Sequence, residues 1–223
     1  IWGILPTTLE GNTVVHIEQN DLNIMPLRYR AHLVNSLSGF KSANLIGTIS
    51  NEGQANLAIF SSVVHLGASP ALVGFISRPN TTERHTLENI EQTQQYTINQ
   101  VSDYFWQAAH QTSARYNKNE CEFEKTGLSK TYTDGIKAPF VMESQLKYAL
   151  KLREIVPLSI NNTIMVIGEI TDIFCVDSAI NDDGYIDIES LNTVAISGLD
   201  SYHVSQRLSR LSYAKPNQLP TSL

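Results

Sequence analysis

The sequence has 223 residues and a formal net charge of −6, with 42% hydrophobic and 17% charged residues. This composition is typical of a globular protein with a proper core, and its acidic balance argues against general nucleic-acid binding. No apolar run approaches the roughly 18 residues of a membrane-spanning helix, and no basic start followed by an apolar segment marks a signal peptide. We therefore expect a cytoplasmic protein without nucleic-acid or membrane partners. Cys121 and Cys175 have no CxxC partner, so we expect unpaired thiols.

The first half of the chain predicts one helix and then several strands. The first 25 residues are mixed and rich in turns. Pro26 precedes "LRYRAHLVNSLS", which predicts a helix with an apolar face formed by Leu27, Ala31, Val34 and Leu37. "ANLIGTIS" (Ala43–Ser50) and "QANLAIFSSVVHLG" (Gln54–Gly67) flank "NEG" and predict a hairpin. "PALVGFIS" predicts a third, buried strand.

The second half predicts further strands with few helices. The expected elements are a helix from Thr86 to about Gln92, a strand over Gln95–Ser102, and a helix over Asp103–Thr112 with Ser102 or Asp103 as N-cap. Ser113–Pro139 is polar and predicted irregular. Strands are predicted over "SQLKYALKLREIV", "NNTIMVIGEITDIFCVD" and "LNTVAIS", and a last helix over "DSYHVSQRLSRL". Six or seven strands with short connections favour antiparallel pairing and a barrel in a single domain.

Several familiar chemical motifs are missing from the sequence. It has no GxGxxG after its first strand, no GxxxxGK[ST], no HExxH and no GxSxG, and its six histidines lack metal-ligand spacing. "SAINDDGYIDIES" resembles a calcium loop, but Ala179 and Ser190 occupy the first and twelfth positions, where carboxylates are required. An exposed acidic turn is the better interpretation, and we predict no metal site.

The stretch "SRPNTTERHTLENI" gathers cations and hydroxyls between a strand and a helix. Arg78 and Arg84 can fork onto phosphate oxygens, and the helix start offers free backbone N–H groups. Further hydroxyl donors are Thr81, Thr82 and Thr86. The pattern predicts an anion site. The alternative is a solvated loop with a threonine N-cap, with His85 packed beside the helix start.

A second polar cluster interrupts an apolar strand. Asn56, Ser61 and Ser62 stand within "NEGQANLAIFSSVVH". Buried polar groups require hydrogen-bond partners, and small polar side chains with strand N–H groups could bind the edge of a flat heterocycle. The alternative is a strand edge or bulge at Ser61 and Ser62.

Taken together, these pieces resemble the flavin reductase-like family of FMN-binding split-barrel proteins. The resemblance rests on an ordered series, "NLIGTISNEGQANLAIFSS", "SPALVGFIS", "RPNTTERHTLENI", "YTINQVS", "FEKTGL", "APFVMES" and "TIMVIGEI", from about Phe40 to Tyr202. It implies a mainly β fold, a six-stranded antiparallel split β-barrel with a few peripheral helices, that usually dimerises. Residues 1–223 would form one such domain, with 1–39 as an N-terminal extension and 203–223 as a C-terminal tail.

The resemblance also implies an FMN site. The residues meeting the isoalloxazine and ribityl parts would be Thr48, Ile49, Ser50, Asn56, Leu57, Ala58, Phe60, Ser61 and Ser62. Those meeting the ribityl chain and phosphate would be Ser77, Arg78, Arg84, His85 and Thr86. The chain departs from the family pattern where Lys41 and Ser42 replace Arg-Pro and where Arg84 and His85 replace Lys-Asp. Tyr202 could reach a flavin, across a homodimer.

The implied activity is that of an NAD(P)H:flavin reductase. Hydride would pass from the nicotinamide to bound FMN, a step that needs no protein acid or base. We therefore assign no catalytic residue, and His85 is the only titratable candidate. The alternatives are an electron carrier that does not use NAD(P)H directly and a module that holds FMN or haem without turnover. The sequence does not choose between NADH and NADPH, name an electron acceptor, or distinguish tightly bound from exchanged FMN.

Overall fold

The computed structural model describes residues 6–9, 12–79 and 85–223, with side chains from residue 14 onward within those ranges. Contacts along the chain divide it into two compact units: Ile1–Gly39 with Ser197–Ser201, and Phe40–Ile196 with Tyr202–Leu223. The first 39 residues contain β1 (Pro6–Leu9), β2 (Asn12–Val15), α1 (Gln19–Ile24) and α2 (Leu27–Ser36). The helix predicted after Pro26 is thus confirmed. None of the described helices is long and apolar enough to cross a membrane.

From residue 40 onward the chain is mainly β. Its strands are β3 (Lys41–Ser42), β4 (Asn44–Ile49), β5 (Ala55–Phe60), β6 (Val64–Ala68), β7 (Ala71–Ser77), β8 (Gln95–Gln100), β9 (Lys130–Thr133), β10 (Ile136–Val141), β11 (Leu146–Leu158), β12 (Thr163–Cys175), β13 (Val194–Ser197) and β14 (Ser201–Val204). Its helices are α3 (His85–Thr93), α4 (Trp106–Gln111) and α5 (Glu122–Thr126), with a 3₁₀ turn at Asp177–Ala179.

The main sheet contains seven antiparallel strands in the order β5-β4-β8-β11-β12-β7-β6, so β5 and β6 are its two edges. The family resemblance implies six strands, and this number is not confirmed for the main sheet. The single strand predicted over Gln54–Gly67 is two strands, β5 and β6. The chain instead leaves the sheet at residues 61–63 and rejoins it at the opposite edge. Ser62 marks this point: its Oγ donates to the Ile76 carbonyl (3.0 Å) and accepts from the Ile76 N–H (3.1 Å).

Apolar side chains pack on both faces of β4. Leu45 belongs to one buried cluster, with Leu57 and Phe123, and Ile46 to another, which includes Phe75. This separation follows from the two-residue period of a strand, which sends neighbouring side chains to opposite faces. A strand buried on both faces fixes the hairpin that it forms with β5.

Helix α4 begins later than predicted. Its N-cap is Phe105, without a side-chain cap, and the helix begins at Trp106. Ser102 is committed elsewhere, because its backbone bridges to Thr193 and its Oγ donates to the Leu191 carbonyl (3.1 Å). The prediction that Ser102 or Asp103 caps the helix is therefore wrong.

Two other segments differ from the prediction. Residues 113–139 are not irregular throughout, since they hold α5, β9 and the start of β10. These elements are too short to show a hydrophobic period. The helix predicted over residues 200–211 is also wrong, because Ser201–Val204 is the strand β14, placed next to β13 in a three-stranded sheet with β3.

Candidate functional site

A buried polar network joins the β4–β5 hairpin to the start of α3. The side-chain amide of Asn56 on β5 finds complementary partners at both ends when its Oδ1 accepts from Thr86 Oγ1 (3.0 Å) and Thr48 Oγ1 (3.2 Å). From the second turn of α3, Asn89 Nδ2 donates to the same Thr48 oxygen (3.1 Å). Two predicted site residues on the hairpin are thereby brought together with a third at the helix start.

The apolar face of α3 explains why the helix docks there. Leu87 and Ile90 are both buried and pack in the same cluster as Ile46 of β4. Thr86 and Asn89 precede these residues by one position each, so both polar side chains face the hairpin. The N-terminal turn, whose backbone N–H groups lack partners within the helix, therefore lies beside β5.

A carboxylate that the sequence did not single out completes the network. Glu122, at the first position of α5, is only 6% exposed. Its Oε2 accepts from the backbone N–H of Leu57 (3.0 Å), and its Oε1 lies 3.3 Å from Asn56 Nδ2. Burial raises the pKa of this carboxyl, opposed by the Leu57 hydrogen bond and the nearby His85. No local signal in "CEFEK" distinguishes this glutamate from Glu124.

Three predicted serines are held in hydrogen bonds within the protein. Ser50 Oγ accepts from the N–H groups of Glu52 (3.2 Å) and Gln54 (3.3 Å), which fixes the tight turn of the hairpin. Ser62 bonds the Ile76 backbone, as described above. Ser77, which is 5% exposed, donates to the Arg78 carbonyl at 3.4 Å.

The remaining predicted residues differ in burial. Leu57 is fully buried in the core, whereas Arg78 is exposed. Those that are half-buried are Ile49, Ala58, Phe60, Ser61 and His85. Arg84, Thr81 and Thr82 lie outside the described residues. Partly exposed apolar groups on the hairpin thus accompany the polar start of α3.

The residues where the chain departs from the family pattern have their own partners. Ser42 Oγ accepts from Asn44 Nδ2 at 2.8 Å. Tyr202 Oη lies 2.9 Å from His110 Nδ1, and its ring packs against Trp106 with centroids 5.0 Å apart. Tyr202 of β14 therefore packs against the aromatic side chains Trp106 and His110 of α4.

This arrangement suits a ligand that has both a flat apolar part and an anionic part. A helix start with a threonine hydroxyl favours an anion such as phosphate, and Arg78 just after the end of β7 is exposed. The half-buried Ile49, Ala58 and Phe60 offer apolar surface to a ring system. Among the described residues, no group of three or more His, Cys, Asp or Glu side chains could hold a metal ion.

Comparison with known proteins agrees with the family resemblance seen in the sequence. The profile of the flavin reductase-like domain matches residues 37–189. A Shewanella frigidimarina protein assigned to the flavin reductases, with a split barrel domain, has a crystal structure that is 55% identical, with a TM-score of 0.86, covering 89% of this chain and 99% of that one. The structure of nitrilotriacetate monooxygenase component B from Bacillus cereus is 19% identical and shares the fold, with a TM-score of 0.79 over 90% of this chain and 100% of that one. An uncharacterised Aquifex aeolicus protein is 29% identical over 51% of this chain, and the match spans 59% of that relative's length.

Proposed function

Because the chain belongs to the flavin reductase-like domain family, we propose that it is an FMN-binding oxidoreductase that transfers hydride from NAD(P)H to bound FMN. Family membership supports flavin-related oxidoreductase activity. The 55% identical Shewanella frigidimarina protein, assigned to the flavin reductases, supports the more specific activity. FMN as the flavin and NAD(P)H as the donor follow from the family resemblance.

The observation that carries the proposal is the polar connection between the hairpin and α3. Asn56 bonds Thr86, so the strand with the half-buried apolar groups and the helix start with the anion donors are held side by side. A flavin mononucleotide has this combination of a flat ring and a terminal phosphate. The donor set therefore fits the cofactor.

In this proposal each part of the chain has a separate task. Ser77, Arg78, Arg84, His85 and Thr86 bind the phosphate end. The hairpin from Thr48 to Ser62 orients the ring, and its backbone N–H groups stabilise negative charge on the reduced form. The flavin supplies the redox chemistry when it is bound. No protein acid or base is required, and His85 remains the only titratable candidate that the sequence offers.

We also propose that the protein acts as a homodimer, as the family resemblance implies. In such a dimer, Tyr202 would contact the flavin of the partner subunit. Light scattering coupled to gel filtration measures the mass of the particle, and a monomer at all concentrations would contradict this part of the proposal.

A flavin titration followed by an anaerobic titration with NADH and NADPH tests the activity. We expect quenching of flavin fluorescence on binding, a preference for FMN over riboflavin, and bleaching of the bound flavin by one or both nicotinamides. Binding without bleaching would favour an electron carrier or a non-catalytic module. No binding of any flavin would refute the whole proposal.

A further inference from the structure

The Asn56 amide connects a buried acid to a hydroxyl of the proposed phosphate site. On one side it meets Glu122 Oε1 at 3.3 Å, and on the other it meets Thr86 Oγ1 at 3.0 Å. A side-chain amide has a donor end (NH₂) and an acceptor end (C=O). The end that Glu122 requires therefore decides whether Thr86 faces the donor or the acceptor. Asn56 is 6% exposed, which leaves little room for water to take over either bond.

When Glu122 is ionised, its oxygens can only accept hydrogen bonds. Asn56 must then turn Nδ2 toward Glu122, and Oδ1 is left facing Thr86. Three groups face that oxygen: the Thr86 hydroxyl at 3.0 Å, and the Thr48 hydroxyl and the Leu57 N–H at 3.2 Å each. The Thr86 hydroxyl is the nearest of them and donates its single proton to the amide oxygen. In this state the hydroxyl has no proton to offer to a ligand.

When Glu122 is neutral, the direction of the chain reverses. The protonated carboxyl donates to Asn56 Oδ1, and the amide turns so that Nδ2 lies 3.0 Å from Thr86 Oγ1 and 3.2 Å from Thr48 Oγ1. Both positions remain within hydrogen-bond distance, so the exchange needs no backbone movement. The Thr86 hydroxyl now accepts from Asn56, and its proton is available to an anion.

We propose that the protonation state of Glu122, relayed by Asn56, sets whether the Thr86 hydroxyl donates into the protein or to a phosphate ligand. Glu122 is thus a positioning residue that regulates anion affinity. This inference rests on the proposed function, because it takes the flavin phosphate to be the anion. The neutral state of Glu122 binds the phosphate end more tightly than the ionised state.

The other ionisable groups on the elements around Glu122 define the background for a pH experiment. β5 carries none, and on α3 the group that acts electrostatically on Glu122 is His85. The others on α5 and α4 are Cys121, Glu124, Lys125 and His110. Glu124 is 71% exposed and pairs with Lys130, which makes it a matched control for a change of charge on the same helix.

The test is a double-mutant cycle at pH 8, at the alkaline end of the working range, where the ionised form of Glu122 is most favoured. Glu122→Gln fixes the neutral arrangement, because the amide can accept from Leu57 N–H and donate to Asn56. Thr86→Val removes the hydroxyl at nearly constant volume. The dissociation constants of FMN and riboflavin are measured for the wild type, both single variants, the double variant and Glu124→Gln.

We expect Glu122→Gln to raise the preference for FMN over riboflavin by about tenfold, the effect of one hydrogen bond to a charged group. In the Thr86→Val background the same substitution should have little effect. Glu124→Gln should leave the preference unchanged. An equal effect with and without Thr86 would show simple removal of charge and overturn the inference, as would an equal gain for riboflavin.

If Glu122→Gln fails to fold, the inference is tested by comparing the wild type with Thr86→Val over a range of pH. As the pH falls through the Glu122 pKa, the FMN preference of the wild type should rise relative to that of Thr86→Val. Parallel pH profiles would overturn the inference. A wild type that binds FMN normally in these experiments preserves the proposed function, whereas one that binds no flavin refutes that function itself.

Discussion

The carboxylate of Glu122 accepts a hydrogen bond of 3.0 Å from the backbone N–H of Leu57, at an edge of the main sheet. An edge strand has unpaired N–H groups that need partners when they are buried. Leu57 is fully buried, so this bond stabilises β5 next to the proposed ring-binding residues.

The stability of the protein should depend on pH through Glu122. Burial raises its folded pKa above the ordinary value of 4.5, so the folded state binds more protons than the unfolded state between those two values. The free energy of unfolding therefore falls as the pH rises through this window. Glu122→Gln should remove that part of the slope, measured by urea denaturation from pH 4 to pH 8. Glu124→Gln should keep it, and an unchanged slope in Glu122→Gln would contradict the expectation.

Gly47 on β4 should not tolerate a side chain. A Cβ at this position would lie 2.2 Å from the Pro139 carbonyl oxygen and 2.6 Å from Thr97 Oγ1. The backbone of Pro139 cannot move aside without shifting β10, so we expect Gly47→Ala to lower the free energy of unfolding by about 1–3 kcal/mol. Gly67→Ala is the control, because its nearest neighbour would be 3.4 Å away. Equal losses for the two variants in thermal or urea unfolding would refute this view of the packing.

Two neighbours on β8 should respond differently to the loss of a hydroxyl group. The Tyr96 hydroxyl is buried and has no hydrogen-bond partner among the described residues, whereas Thr97 Oγ1 donates to the Pro139 carbonyl (2.6 Å). Tyr96→Phe should therefore leave the free energy of unfolding unchanged or raise it by about 1 kcal/mol, and Thr97→Val should lower it by about 1–2 kcal/mol. A large loss in Tyr96→Phe would reveal a partner for the phenol.

The proposed phosphate end predicts a selective loss of affinity. Arg78→Ala and Arg84→Ala should each weaken FMN by about tenfold or more and riboflavin little, because riboflavin lacks the phosphate. Arg153→Ala is the control, since Arg153 pairs with Glu169 on the β11–β12 hairpin. Fluorescence titration provides both constants, and equal losses for the two flavins would argue against phosphate contacts.

The C-terminal tail should loosen when Arg210 is removed. Its guanidinium lies 4.1 Å from the centre of the Tyr185 ring and bonds Asp183, whose pKa it lowers. Arg207 lies 3.3 Å from Asp187 on the same acidic loop. We expect Arg210→Ala to speed amide hydrogen exchange over residues 205–223 with little change in global stability. Unchanged exchange would mean that other contacts hold the tail.

Long periodic segments were predictable from the sequence, and short ones were not. β11 and β12 are 13 residues each. The alternation of β11, and the length of β12 after its Asn161-Asn162 entry turn, identify them without tertiary information. α5 has five residues, and the contacts that stabilise it come from β5, which is distant in sequence. Ser201–Val204 suits a helix locally but forms a strand because β13 offers a pairing edge.

The candidate site was also predictable only in part from the sequence. The residue types in the stretch after β7 predict an anion site from chemistry alone, and Asn56 is recognisable as a polar residue in an apolar strand. Its partner Glu122 lies 66 positions away along the chain, and the direct bond that α5 makes to β5 spans 65 positions, from Leu57. Such a contact leaves no periodic signal, since only the folded sheet brings the two segments together.

The three-residue passage between β5 and β6 also has a kinetic consequence. These strands are the two edges of the sheet, yet only residues 61–63 separate them, so their facing ends can be no more than about 14 Å apart. The sheet must therefore curl as it forms. The two edges are brought together by local chain connectivity, with almost no loop-closure entropy to overcome. Curling should thus come early in folding, and the slower events should be the pairings of β8 with β11 and of β12 with β7, whose partners are distant in sequence.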